Sequence, residues 1–362
     1  MPSPRAEPGS TVVAEARDSD VDLADVRPSG GRPKGYVAYR PAAKTRAVVE
    51  RILDLFDRMR DADALPLGPR AAGYRLKETF VGVYTKADFA AIETALKRLQ
   101  QAGRIPWGWV SDASSLTYTA NGWASPVDFL RDAPGLYHRD LREGQPTVVE
   151  VYAEAKETLP LIARIGAERG VTVYSGSGSA GPNLAHKVAY RAVERGVERG
   201  QSTQLLGICD FDQAGIRNVL RPHIEHVSAF CYGTAGNDAV ASCDGKTVED
   251  AGATVSFRHL ALTPQMALEL VETEADRAGI ADYIDSGDDI WDRDLDLLGG
   301  VQKVETEALD PVELRDLVAD AIDSVLDPDA LSAVIDKQTA ERADLKRRLG
   351  VIANGLDGGE VR

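Results

Sequence analysis

Two aspartates separated by one residue follow an apolar segment near the middle of the 362-residue chain. Asp210 and Asp212 come directly after residues 205–209, Leu-Leu-Gly-Ile-Cys, and Gly215 stands three residues further on. Side chains alternate along a strand, so a strand with this ending points both carboxylates to the same side. A glycine lets the following turn lie close to them. The pattern predicts a pair of carboxylates that face one cation.

A third carboxylate follows another apolar segment, residues 148–153, which ends in Glu154. Ligands of open α/β sheets bind at the carboxyl ends of strands, so the three side chains are expected at one edge. Three hard oxygen ligands favour Mg²⁺, or Mn²⁺, over zinc. The alternative is that Asp210 and Asp212 only cap the helix that follows them.

The elements that position these residues show a regular alternation from Thr147 onward. Apolar segments rich in Val, Ile and Leu are separated by amphipathic stretches of helix length. The predicted strands are residues 148–154, 171–175, 203–212 and 225–233, and the predicted helices between them are 156–170, 182–196 and 213–224. This order is typical of an α/β fold whose parallel sheet is covered on both faces.

The N-terminal part of the chain predicts helices instead. Apolar residues recur at helical spacing over 44–61, 70–77 and 86–103, a small helical module that suits a winged-helix unit. Near the C-terminus, Asp310 as N-cap and Pro311 open one helix, and a last helix is predicted over 328–349.

These patterns divide the chain into four parts. Residues 1–33 are rich in Pro, Gly, Ser and charge without apolar periodicity, which predicts a disordered tail. The other parts are a helical module over 34–145, an α/β domain over 146–262, and a helical extension over 263–362 with an acidic loop from Asp282 to Asp296.

The composition limits the partners and the location. With 57 acidic and 42 basic residues the formal charge is −15, which argues against DNA binding by global electrostatics, although local basic clusters and a bound metal ion offset it. The acidity also fits a salt-rich cytoplasm. No apolar run approaches the ~20 residues that span a bilayer, so we expect a cytoplasmic protein without a membrane partner. No GxxxxGK[ST] phosphate loop occurs, so ATP hydrolysis by this chain is not expected.

The strand-ending glutamate and the later DxD resemble the Toprim domains of the topoisomerase VI A subunit and the meiotic double-strand-break proteins, most of all their small stand-alone versions. The resemblance covers residues 39–342, with Glu154 in VEVYAEA and Asp210 and Asp212 in CDFDQAG. It implies a Toprim, Rossmann-like sheet domain with a magnesium site. Stand-alone members carry a Gly/Ser-rich turn at the place of Gly176, Gly178 and Ser179, where a phosphate contact and a plain surface turn are both open readings.

A tyrosine upstream matches a second motif of the same family. The family carries its DNA-attacking tyrosine on a winged-helix domain in a pattern resembling RxxYYxL, and residues 70–76 read Arg-Ala-Ala-Gly-Tyr-Arg-Leu. The resemblance therefore assigns the nucleophile to Tyr74, while Gly73 departs from the pattern by replacing the first tyrosine. Arg70 and Arg75 flank Tyr74 and either contact DNA phosphate or are simply solvated. The alternative for Tyr74 is a packing role.

The resemblance implies magnesium-dependent DNA strand cleavage by tyrosyl transesterification. It also implies a homodimer, because the tyrosine of such proteins comes from the partner subunit, and a separate ATPase subunit. Two alternatives remain open. One is a Toprim nuclease that uses an activated water, with Tyr74 structural. The other is a catalytically silent DNA-binding subunit of a defence or mobile-element system.

Overall fold

The computed structural model describes residues 37–76, 86–111, 122–176, 182–212, 215, 219–232, 246–271 and 304–357. The helices in these ranges are α1 (Ala43–Asp61), α2 (Pro69–Leu76), α3 (Lys86–Gln101), α4 (Pro126–Leu136), α5 (Leu159–Ala167), α6 (Pro182–Arg199), α7 (Arg221–Tyr232), α8 (Pro264–Leu270), α9 (Pro311–Asp323) and α10 (Pro328–Asp357). The strands are β1 (Thr147–Ala153), β2 (Thr172–Tyr174), β3 (Ser202–Ile208) and β4 (Val255–Ala261). The predicted tail over 1–33 and the acidic run from Asp282 to Asp296 lie outside the described residues.

The four strands of the described chain form one parallel sheet in the order β2-β1-β3-β4. The chain leaves β1 in one direction to form β2, then crosses back over β1 to form β3. The strand order therefore reverses between β1 and β3, and ligands of open α/β sheets bind beside such a reversal, outside the carboxyl ends of the strands. Glu154 follows β1 and Asp210 follows β3, so both lie at this point.

Helices cover both faces of the sheet, as the alternating pattern predicted. Leu206 of β3 packs in one apolar core with Ile162 of α5, whereas its neighbour Leu205 packs in a second core with Val188 of α6. Adjacent residues of a strand point to opposite faces, so the two cores lie on opposite sides of β3. The prediction of an α/β fold with a parallel sheet is confirmed.

The N-terminal helices α1, α2 and α3 share a third apolar core, which includes Phe56, Leu76 and Ile92. Their bounds agree within two residues with the predicted helices over 44–61, 70–77 and 86–103. Gly73 lies at the contact of α2 with α3: a Cβ atom there would stand 2.4 Å from Cε1 of Phe89. The glycine therefore allows a close approach of the two helices, which offsets its low helix propensity.

The strand predicted over 225–233 is wrong. Residues 225–232 belong to α7, in which His223, Val227 and Cys231 are all buried. The three residues are four apart, the spacing of one helix face, and a short apolar run does not distinguish a strand from a buried helix. The fourth strand is β4 instead, which pairs with β3.

The C-terminal helices α9 and α10 pack against earlier elements of the chain. Asp310 caps α9 as predicted, since its side chain accepts a hydrogen bond of 2.8 Å from the Val312 N–H. Helix α10 extends to residue 357, beyond the predicted end at 349, and packs along α4, where Tyr137 and Arg139 bind Glu341 at 2.6 and 2.7 Å. None of the helices in the described ranges has the length and apolar character needed to cross a membrane.

Candidate functional site

Glu154 connects the ends of β1 and β3. Its backbone N–H donates to the carbonyl of Ile208 at 2.9 Å, which continues the pairing of the two strands. Its side-chain Oε2 accepts a hydrogen bond of 3.2 Å from the backbone N–H of Asp210. The carboxylate of Glu154 is therefore held directly beside the main chain of the DxD segment.

Asp210 and Asp212 make different contacts. Asp210 is 8% exposed, and its Oδ1 accepts hydrogen bonds from the Thr306 N–H at 2.9 Å and from the Thr306 hydroxyl at 3.0 Å. Oδ1 of Asp212 accepts from the Gly215 N–H at 2.6 Å, three residues ahead, which is the contact that a capping residue makes. The capping interpretation thus describes Asp212, whereas Asp210 binds a segment almost one hundred residues away.

Gly215 lies against Glu154 and the main chain of Asp210. A Cβ atom at this position would stand 2.4 Å from the carbonyl oxygen of Asp210 and 2.9 Å from Oε2 of Glu154. Both distances are shorter than a normal contact, so only glycine fits here without a shift of the backbone at position 215. The backbone of Gly215 therefore lies directly against two of the three predicted site residues.

The three carboxylates have the oxygen atoms that a hard cation prefers, but their side chains are not arranged around one point. Among the described residues, no group of three or more His, Cys, Asp and Glu side chains is arranged to hold a metal ion. One oxygen each of Glu154, Asp210 and Asp212 accepts a backbone N–H bond. The backbone nevertheless brings all three to one edge of the sheet around a glycine. Carboxylate oxygens are the ligands that Mg²⁺ prefers, so this set of donor atoms fits a divalent cation.

Three further carboxylates, Glu157, Glu305 and Glu307, border this site and were missed by the sequence reasoning. Glu307 is 6% exposed, and burial together with the charges of Asp210, Glu305 and Glu157 raises its pKa to about 7. Burial also raises the pKa of Glu157, whose carboxylate accepts from the backbone N–H of Arg70 at 3.3 Å. A cavity of about 20 Å³, the room that one water needs, lies between Glu157, Thr306 and Glu307.

Tyr74 lies half-buried on α2, and its hydroxyl donates to Oε2 of Glu305 at 3.0 Å. Its ring packs edge-on against Phe89, with 5.2 Å between the ring centroids. Burial and the adjacent Glu305 carboxylate raise the pKa of Tyr74 well above its ordinary value. At neutral pH the phenol therefore keeps its proton, and an attack by its oxygen requires a group that accepts that proton.

The two arginines that flank Tyr74 have different roles. Arg70 pairs with Oε1 of Glu305 at 3.2 Å, and its side chain is 50% exposed. Arg75 is 26% exposed and binds Asp310 at 3.4 Å and the carbonyl of Ala308. Arg75 thus attaches α2 to the start of α9, whereas Arg70 presents more of its side chain to a ligand.

The predicted Gly/Ser-rich turn is only partly described. Gly176 is buried after β2, and the preceding Ser175 hydroxyl donates to the carbonyl of Glu154 at 3.4 Å, so the start of this turn adjoins the site. Gly178 and Ser179 lie outside the described residues.

No protein-family model, curated protein or solved structure matches this chain. The fold and the contacts define only a general class of protein. It is an α/β protein with a parallel sheet whose strand order reverses beside a group of carboxylates. A helical module with a half-buried tyrosine docks onto this group through the segment 304–310.

Proposed function

We propose that this chain is a topoisomerase-VI-A-like enzyme that cleaves DNA strands in a magnesium-dependent reaction, with Tyr74 as the attacking group. One observation carries the proposal. Two consecutive residues connect the proposed nucleophile to the proposed metal site. Glu305 accepts a hydrogen bond from the Tyr74 hydroxyl, and Thr306 donates a hydrogen bond to Asp210. Tyr74 and Asp210 are thus bonded to adjacent residues of one segment, although 136 positions separate them in the sequence.

Charge distribution supports DNA as the substrate. Residues 37–111, which include α1 to α3, contain 13 Lys and Arg and 8 Asp and Glu residues, a formal charge of +5 in a chain of −15. The module that carries Tyr74 is thus basic, whereas the rest of the chain is strongly acidic. A basic module attracts the DNA backbone, and the acidic domain then meets phosphate only where a cation is bound. A winged-helix fold for this module forms part of the proposal.

Glu154, Asp210 and Asp212 would hold the Mg²⁺ or Mn²⁺ ion of a Toprim-type site. The bound ion supplies neutralisation of the charge that develops on the phosphate oxygens during cleavage. The protein residues do the rest. Arg70, which is half-exposed beside Tyr74, binds a neighbouring phosphate, and Gly215 allows its own backbone to lie against the Asp210 carbonyl and Oε2 of Glu154.

The covalent step exchanges one phosphoester for another. The Tyr74 oxygen attacks phosphorus, the bond from phosphorus to the 3′-oxygen breaks, and the 3′-oxygen takes up a proton from water. The 5′-phosphate remains joined to Tyr74, so the reverse reaction reseals the strand without ATP. The resemblance implies a tyrosine supplied by the partner subunit, but Glu305 and Thr306 link Tyr74 to Asp210 of its own chain. We therefore propose cleavage within one chain, with each subunit of a homodimer cutting one strand.

Trapping a covalent adduct tests this proposal. The full-length protein is incubated with end-labelled duplex DNA and Mg²⁺ or Mn²⁺, denatured, and analysed for protein joined to the 5′ end. Wild-type protein is expected to form the adduct, whereas Tyr74→Phe and Asp210→Asn are expected to form none. Tyr190→Phe is the matched control, because Tyr190 is 40% exposed on α6. An adduct of undiminished yield with Tyr74→Phe would overturn the assignment of the nucleophile.

The contacts of Tyr74 also favour a second candidate, hydrolysis by a water molecule at the same acidic site. A half-buried tyrosine that packs on Phe89 and donates to Glu305 has the contacts of a structural residue. In that case the DNA is cut to free ends, no adduct accumulates, and Tyr74→Phe cuts at the wild-type rate. The adduct assay therefore separates the two candidates.

A further inference from the structure

We infer that Glu305 is a catalytic residue, the general base that takes the phenolic proton of Tyr74 when the tyrosine oxygen attacks phosphorus. This inference rests on the proposed tyrosyl transesterification. It assigns a role to a residue that the DxD and RxxYYxL patterns do not include.

The contact geometry is that of a proton acceptor held in place. Oε2 of Glu305 receives the Tyr74 hydroxyl at 3.0 Å, within the range for direct proton transfer. Oε1 of the same carboxylate pairs with Arg70 at 3.2 Å, and the Glu305 side chain is 17% exposed. Arg70 thus acts as a positioning residue, because it fixes one oxygen of the carboxylate while the other faces the reacting atom.

The backbone on both sides of Glu305 is anchored to the acidic site. Val304 pairs with Phe211, whose N–H donates to the Val304 carbonyl at 2.9 Å, and Thr306 donates twice to Asp210. Phe211 lies between the two aspartates of the DxD. The position of the base is therefore tied to the DxD segment, so one short segment contacts both the nucleophile and Asp210.

The protons balance in this step. As the bond from the Tyr74 oxygen to phosphorus forms, the phenolic proton moves to Oε2 of Glu305. The 3′-oxygen takes a proton from water as its bond to phosphorus breaks, and Glu305 later releases its proton to the same solvent. A base is needed because Tyr74 is not ionised near neutral pH: its pKa is raised by burial and by the Glu305 carboxylate. General-base catalysis of this kind contributes roughly 10²–10⁴-fold to a rate.

The decisive variant is Glu305→Gln, which keeps the size of the side chain and a hydrogen-bond acceptor but removes the base. Adduct formation is followed in single-turnover experiments from about pH 6 to about pH 10. The variant is expected to be about 10²-fold slower at neutral pH, and the gap is expected to close as hydroxide replaces the base. Glu143→Gln is the matched control, because Glu143 pairs with Arg139 at 2.5 Å and contacts neither Tyr74 nor Asp210 in the described structure.

A second measurement does not depend on activity. Titration of tyrosine absorbance, with the Tyr74→Phe protein subtracted, isolates the ionisation of Tyr74. Its pKa is expected to fall in Glu305→Gln, because the carboxylate that opposes ionisation is gone. Glu305→Asp keeps a base with a shorter reach and is expected to recover part of the rate at neutral pH, and thermal unfolding checks that each variant folds.

The outcomes distinguish a wrong role for Glu305 from a wrong proposal of tyrosyl transesterification. If wild-type protein forms a Tyr74-dependent adduct and Glu305→Gln forms it at the same rate at neutral pH, the assignment of Glu305 is overturned and the proposed function stands. A slower variant whose deficit is constant with pH, and in which the Tyr74 pKa is unchanged, also overturns it. If wild-type protein forms no adduct, both fail together.

Discussion

Replacing Gly215 by alanine perturbs the site without removing any charged group. The added Cβ would stand 2.4 Å from the Asp210 carbonyl oxygen and 2.9 Å from Oε2 of Glu154, where ordinary contacts begin near 3.4 Å. The backbone at position 215 must therefore move by about 1 Å, the size of displacement that can cost about 10²-fold in rate. Overpacking of this kind also lowers the free energy of unfolding by about 1–3 kcal/mol.

The assay combines adduct formation with thermal unfolding. Gly215→Ala is expected to form the covalent adduct about 10²-fold more slowly than wild-type protein. Its melting temperature should fall by only a few degrees, so that the loss of rate does not come from unfolding. Gly350→Ala is the control: Gly350 lies within α10 and nothing lies within 4 Å of the added Cβ, so the rate should stay unchanged.

Two results would refute this reasoning. Wild-type cleavage by Gly215→Ala would mean that the close approach of the Gly215 backbone to Glu154 and Asp210 does not matter for the reaction. An equal loss of rate in Gly350→Ala would mean that the assay responds to general effects of glycine replacement.

Three further predictions concern the surroundings of the site. Burial raises the pKa of Glu307 from 4.5 to about 7, so the folded protein holds the proton of this carboxyl more tightly than the unfolded chain does. The stabilisation from this proton is complete below pH 4.5 and is lost as the pH rises to about 7. The free energy of unfolding should decline by up to about 3 kcal/mol over this interval in wild-type protein, as measured by urea denaturation, and the decline should disappear in Glu307→Gln. Glu150→Leu should lower the free energy of unfolding by about 3–5 kcal/mol. The fully buried Glu150 carboxylate binds Arg191 at 2.6 Å and Arg195 at 2.8 Å, and the variant removes this partner from both cations. An unchanged urea midpoint would contradict this prediction. Tyr74→Phe chains mixed and refolded with Asp210→Asn chains should form no adduct, because the two groups act within one chain, and recovery of adduct would show that the tyrosine serves the partner's site.

Local patterns in the sequence determined most of the elements. The helices α1 to α3 and the strands β1 to β3 follow from apolar spacing, since residues that share a face of a helix or a strand recur with its period. The placement of Glu154 and Asp210 at one edge follows as well, because strands joined by crossover helices are parallel and their carboxyl ends meet. The same reasoning fails at α7, where Val227 and Cys231 fit a helix face within a run that also reads as a strand.

Only the tertiary structure decided which residues complete the site. Thr306 lies 96 positions from the Asp210 that it binds, and Glu305 lies 231 positions from Tyr74. No periodicity or motif relates such residues, because their contact depends on the path of the chain after β4 and on the docking of the helical module. The carboxylates at the strand ends are encoded locally, whereas the tyrosine and its hydrogen-bond acceptor meet only when two parts of the chain with distinct apolar cores pack together.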